Sequence, residues 1–147
     1  MEFRHVLVAG GGVLGAQIAF QTAFKGFPVT IWLRSEGSIG RTEPKIARLY
    51  NVYRAELARI GEAMLAGKPL DLPRGFGDAA AVKSAEDLDR LEKAVEAAKQ
   101  NIRLSLDLEE SAREADFIIE SMAEDREAKR EFYAKLAPFL DEKTIVA

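Results

Sequence analysis

Residues 5–20 read HVLVAGGGVLGAQIAF. Val6, Leu7 and Val8 run directly into three consecutive glycines, a fourth follows at Gly15, and small and apolar residues then recur at helical spacing. Gly10 to Gly15 fit G-x-G-x-x-G in the context that gives the pattern meaning, after a strand and opening a helix. Gly10 allows the tight turn, Gly12 removes a side chain where a pyrophosphate must approach, and Gly15 lets helix and strand pack closely. The first helical N–H groups, at Val13 and Leu14, point at the phosphates with the positive end of the helix dipole behind them. The stretch is therefore expected to be a dinucleotide site.

Working outward, VLGAQIAFQTAFKG reads as a helix stopped by Gly26, with Gly15, Ala19 and Ala23 forming a smooth stripe that can lie close to a sheet. Pro28–Leu33, PVTIWL, is a short continuous apolar strand of the kind buried in parallel sheets. These pieces make a βαβ unit. Ser35 to Arg41 reads as a loop, after which Thr42 caps a helix with Glu43 and Pro44 in its first turn. Ile46, Leu49, Tyr53, Leu57, Ile60 and Met64 give that helix an apolar face, and Gly67 and Pro69 end it. Ser84 and Asp87 form a capping box for a second helix with Leu88, Leu91, Val95 and Ala98 on one face.

This helical pair is a long excursion away from the sheet. The sheet resumes with IRLSL (102–106), a short helix from Asp107 to about Glu114, the buried strand DFIIES, and a helix with Ala128, Phe132 and Leu136 inward. KTIVA begins a further strand. The expected class is α/β, a Rossmann-type doubly wound, mostly parallel sheet with a helical-pair excursion after the second strand. Residues 1–147 are expected to form one dinucleotide-binding domain.

Composition narrows the chemistry. The net charge of −3 argues against general affinity for nucleic acid or an anionic membrane surface. No window reaches the roughly 18 consecutive apolar residues of a membrane span, and the first ten residues do not resemble a signal peptide. The chain has no cysteine, which excludes disulfides and thiolate metal sites, and His5 is its one histidine. No metal site and a cytoplasmic location are expected.

The second strand bears on which dinucleotide binds. NAD sites usually carry an acid about 20 residues beyond the glycines to hold the ribose hydroxyls. Leu33 occupies that place, followed by Arg34 and Ser35, and no carboxylate comes before Glu36. A guanidinium fork binds phosphate bidentately and stacks on adenine, and a serine adds a donor. NADP(H) is therefore favoured over NAD(H), with Arg34 and Ser35 as ligands and Arg41 as a helper. The competing possibility is a solvated Arg34, with Glu36 reaching the ribose.

VLVAGGGVLGAQIAFQTAFKGFPVTIW, the helical excursion, and LDLEESAREADFIIESMAEDREAKREFYAKL together resemble the N-terminal nucleotide-binding domain of the 3-hydroxyacyl-CoA dehydrogenases, including the 3-hydroxybutyryl-CoA dehydrogenases. The resemblance covers essentially the whole chain. It implies that Ala123, Glu124 and Lys129 lie near the nicotinamide ribose, whereas Glu120 caps its strand end. On residue chemistry alone, Asp125 and Lys129 are an i, i+4 pair and Glu124 is a first-turn acid. Where the family commonly has Asp, this chain has Leu33. The family's catalytic His–Glu pair, with the Ser and Asn that orient substrate, follows the strand begun by KTIVA. The resemblance thus implies a cofactor-binding part that is inactive alone. Acyl-CoA substrate would be bound only with a further domain, and the full-length protein would be a homodimer. The alternatives are a non-catalytic NADP(H)-sensing module or another β-hydroxyacid-type dehydrogenase. His5 is expected to be a strand-entry residue, at the end away from the glycine turn.

Overall fold

In the computed structural model, which describes residues 4–147, five parallel strands form one sheet in the order β3-β2-β1-β4-β5. They are β1 (Val6–Ala9), β2 (Val29–Trp32), β3 (Ile102–Ser105), β4 (Phe117–Glu120) and β5 (Ile145–Val146). The helices are α1 (Val13–Phe24), α2 (Glu36–Leu65), α3 (Ala85–Gln100), α4 (Leu108–Glu114) and α5 (Arg126–Leu136). The register pairs Ala9 with Trp32 on one side and with Glu120 on the other. The strand order reverses at β1, which opens a crevice beyond the carboxyl ends of β1, β2 and β4.

The apolar runs explain the layers. Val6, Val8, Val29 and Ile31 pack with Ala16, Ala19, Phe20, Leu57, Ile60, Val95 and Ala98 on one face. Leu7, Ala9 and Ile118 pack with Leu108, Ala112, Phe132 and Leu136 on the other. The sheet is thus doubly wound, with α1, α2 and α3 on one face and α4 and α5 on the other. The helical pair does not stand away from the sheet: its apolar stripes join α1 in a common layer.

The start of α2 corrects the expected loop at Ser35–Arg41. Ser35, not Thr42, is the N-cap; its backbone is extended and its hydroxyl accepts a hydrogen bond from the Ser38 N–H at 3.3 Å. Pro44 lies inside the helix. The carbonyl that Pro44 leaves without an intrahelical donor is that of Gly40, an exposed residue that water can serve. The other caps follow the sequence pattern. Ser84 and Asp87 make the reciprocal capping box of α3, and Asp107 accepts from the Glu110 N–H at the start of α4.

Candidate functional site

The glycine turn sits at the mouth of the crevice, and each glycine answers a different steric demand. Gly10 has φ +117°, and a Cβ there would fall on the Ser121 carbonyl. A Cβ on Gly15 would strike the Gly10 carbonyl oxygen, so glycine is what lets α1 begin this close to β1. At Gly12 a Cβ would meet no atom within 4 Å. Space at Gly12 is therefore left open to something other than protein. Gly12 is also the N-cap of α1 and offers no side chain to the first-turn N–H groups, and no acid stands in that turn. Val13 and Leu14 are 66% and 62% exposed at this opening. Unpaired N–H groups, a positive dipole end and a Cβ-free surface together suit a pyrophosphate.

Around the turn lies a cavity of about 280 Å³ lined by Gly10, Gly11 and Gly12, by Trp32, Leu33 and Arg34, and by Ser121, Met122 and Ala123. Of its fourth wall, the sequence pointed only to Arg41. Ser38, Arg41, Thr42 and Lys45, at helical spacing on one face of α2, also line it. Ser38 and Arg41 share this face with Thr42 and Lys45 because α2 begins at Glu36, about two turns earlier than expected. The Thr42 hydroxyl and the Lys45 ammonium both donate to the Gly11 carbonyl, at 3.1 and 3.3 Å. Gly11, an unspecified position of the motif, is itself constrained: a Cβ there would collide with Thr42 and Leu33.

The expected ligands divide. Gly10, Gly12, Arg34 and Ala123 meet at the cavity. Ser35 does not line it, because its hydroxyl is taken by the α2 cap and by Ser38 Oγ at 3.1 Å. Glu36 is exposed and is not among the lining residues. Leu33 is 3% exposed and fills the position an acid would hold.

Beyond Ala123, Lys129 Nζ lies 2.9 Å from Glu124 Oε1 and 3.6 Å from Glu120 Oε1. Its hydrogen bond to Glu124 raises the ammonium pKa above the usual lysine value. Asp125 does not pair with Lys129. It caps α5, accepting from the Glu127 and Ala128 N–H groups at 3.0 and 3.2 Å. Glu124 therefore stands before the cap, outside the first turn. Glu120 serves the strand end, accepting from the Met122 N–H at 3.2 Å. His5 enters β1 at the opposite end from the glycines, where Nε2 shares a 2.8 Å hydrogen bond with Thr30 Oγ1.

Among the described residues, no helix is long and apolar enough to cross a membrane. The family model of the NAD-binding domain of 3-hydroxyacyl-CoA dehydrogenase matches residues 70–147. The human mitochondrial hydroxyacyl-coenzyme A dehydrogenase is 26% identical over 144 residues, 98% of this chain and 38% of that protein. A solved diketoreductase is 31% identical with a TM-score of 0.72, over 99% of this chain and 41% of its own. The (S)-3-hydroxybutyryl-CoA dehydrogenase of Ralstonia eutropha shares the fold, at 16% identity and a TM-score of 0.60, over 99% of this chain and 40% of its own. The chain thus spans about two fifths of the length of these relatives.

Proposed function

This chain belongs to the 3-hydroxyacyl-CoA dehydrogenase family, in its NAD-binding domain, and from that premise we propose that residues 1–147 are the cofactor-binding part of an enzyme that exchanges hydride between NADP(H) and a 3-hydroxyacyl-CoA. One observation supports the choice of cofactor. The crevice beside the glycine turn is lined by Arg34, Arg41 and Lys45, and by no carboxylate among the described residues. Three cations without an acid favour a ribose bearing a phosphate over one bearing two hydroxyls.

When bound, the nicotinamide supplies or accepts the hydride. The chain's own residues bind and orient. The α1 N–H groups with Gly12 take the pyrophosphate, and Ala123, Glu124 and Lys129 approach the nicotinamide ribose. Lys129 is held between two carboxylates and presents a fixed ammonium. Glu124, whose side chain is 92% exposed, holds Lys129 through Oε1 and offers Oε2 to a ribose hydroxyl. The sole histidine, His5, lies at the far end of β1 from the crevice, and we assign the base that removes the substrate hydroxyl proton to a further domain. We assign acyl-CoA binding and a homodimer contact there too, and propose a cytoplasmic location.

Incubation of the 147-residue chain with 3-hydroxybutyryl-CoA and NADP⁺ tests this assignment. Nucleotide binding without formation of NADPH is expected. Turnover at an ordinary enzyme rate would overturn it.

A further inference from the structure

We propose that a 2′-phosphate is recognised by the first turns of α2, with Arg41 and Ser38 as the clamp, and that Arg34 serves the adenosine instead. This deepens the NADP(H) assignment and rests on it.

The α2 wall is anchored before any ligand arrives. Thr42 is 1% exposed, and its hydroxyl and the Lys45 ammonium both bond the Gly11 carbonyl. The close contact among Gly11, Thr42 and Leu33 leaves no room for a Cβ on the glycine, so the helix packs directly on the turn. One turn toward the N-terminus from Thr42 and Lys45, the same helix face presents Ser38 and Arg41. The Arg41 Nη2 donates to Ser38 Oγ at 3.0 Å, and Ser38 Oγ lies 3.1 Å from Ser35 Oγ. Arg41 reaches back over the first turn: a Cβ on Gly37 would lie 3.4 Å from its Nη1.

This guanidinium lies where the helix dipole is positive, and no carboxylate pairs with it among the described residues. A cation near the N-terminal turn of a helix is disfavoured unless an anion joins it. A phosphate there would meet the guanidinium fork, the Ser38 hydroxyl and the positive end of α2 together.

Arg34 has different surroundings. It also borders a second cavity of about 250 Å³, with Trp32, Met122, Phe132, Glu131 and Lys135. Aromatic and thioether surface suits a base, and unlike the crevice beside α2 this cavity carries a carboxylate, Glu131, next to its cations. Leu33 is buried and apolar, so it offers the ribose no hydrogen bond. Recognition of a 2′ substituent therefore falls to α2.

The test is calorimetric titration of the chain and its R41A, R41K and R34A variants with adenosine 2′,5′-bisphosphate and with adenosine 5′-monophosphate. The unsubstituted chain is expected to prefer the bisphosphate by about tenfold or more. R41A should reduce that preference to about twofold or less while leaving monophosphate affinity unchanged, and R41K should fall between, because it keeps the charge without the fork. R34A should weaken both nucleotides alike. A preference that survives R41A, or disappears in R34A alone, overturns the clamp and leaves the NADP(H) assignment standing. No preference in the unsubstituted chain overturns the NADP(H) assignment itself, and the clamp with it.

Discussion

At the scale of single residues, the glycines separate fold from ligand. Gly10 and Gly15 are demanded by the protein itself, one by a positive φ and both by backbone that a Cβ would strike. Gly12 faces open space in ordinary extended conformation. Gly12→Ala should therefore change the unfolding free energy by no more than about 1 kcal/mol, yet weaken nucleotide binding about tenfold or more. Gly15→Ala should lower the unfolding midpoint clearly. Denaturation curves with parallel titrations check both, and equal nucleotide affinity in Gly12→Ala would remove the pyrophosphate from its assigned place. These roles were legible in the sequence because the motif's spacing is a property of local backbone. The constraint on Gly11 was not, since the group that imposes it, Thr42, lies 31 residues away in the chain.

At the scale of elements, the two helix starts that differ from expectation share a cause. Gly37, Gly40 and Pro44 weaken α2 locally and make residues 35–41 read as a loop. The Ser35 cap and the docking of Thr42 and Lys45 on the glycine turn override that preference. That early start holds Ser38 and Arg41 on the same face as Thr42 and Lys45, so an error of about two turns hid Ser38 and Lys45 and left Arg41 as the one expected residue of that wall. In α5, Asp125 spaced four residues before Lys129 reads as an ion pair, but its carboxylate is taken by the helix cap. Asp125→Ala should cost about 1 kcal/mol of stability. A double-mutant cycle should give Asp125 and Lys129 no coupling, and Glu124 with Lys129 at most about 0.5 kcal/mol, because Glu124 is exposed. Substantial Asp125–Lys129 coupling would contradict the capping role. By contrast, the strands and the α3 and α4 caps were legible within a residue or two, because apolar runs and Ser-x-x-Asp or Asp-x-x-Glu patterns act over one turn.

At the scale of the molecule, the sheet has two unlike ends. The carboxyl ends of β1, β2 and β4 carry the crevice, and the amino ends carry His5. Burial lowers the His5 pKa below the usual histidine value; nearby Glu114 opposes that shift, and Arg103 adds to it. The folded chain therefore binds fewer protons than the unfolded chain in this range, and stability should rise with pH. The contribution is complete above about pH 6.5 and is lost as pH falls through the lower, folded-state value. Unfolding curves between about pH 5 and 7 should show this slope. His5→Gln keeps a partner for Thr30 and should flatten it; an unchanged slope would assign it to other groups. Nucleotide binding lies at the other end and tests the central claim most directly. Side-by-side calorimetric titration with NADPH and NADH should give NADPH an advantage of about tenfold or more, roughly 1.4 kcal/mol. Equal or tighter binding of NADH would contradict it, leaving Leu33 tolerated in an NAD site and the cations of the crevice facing solvent.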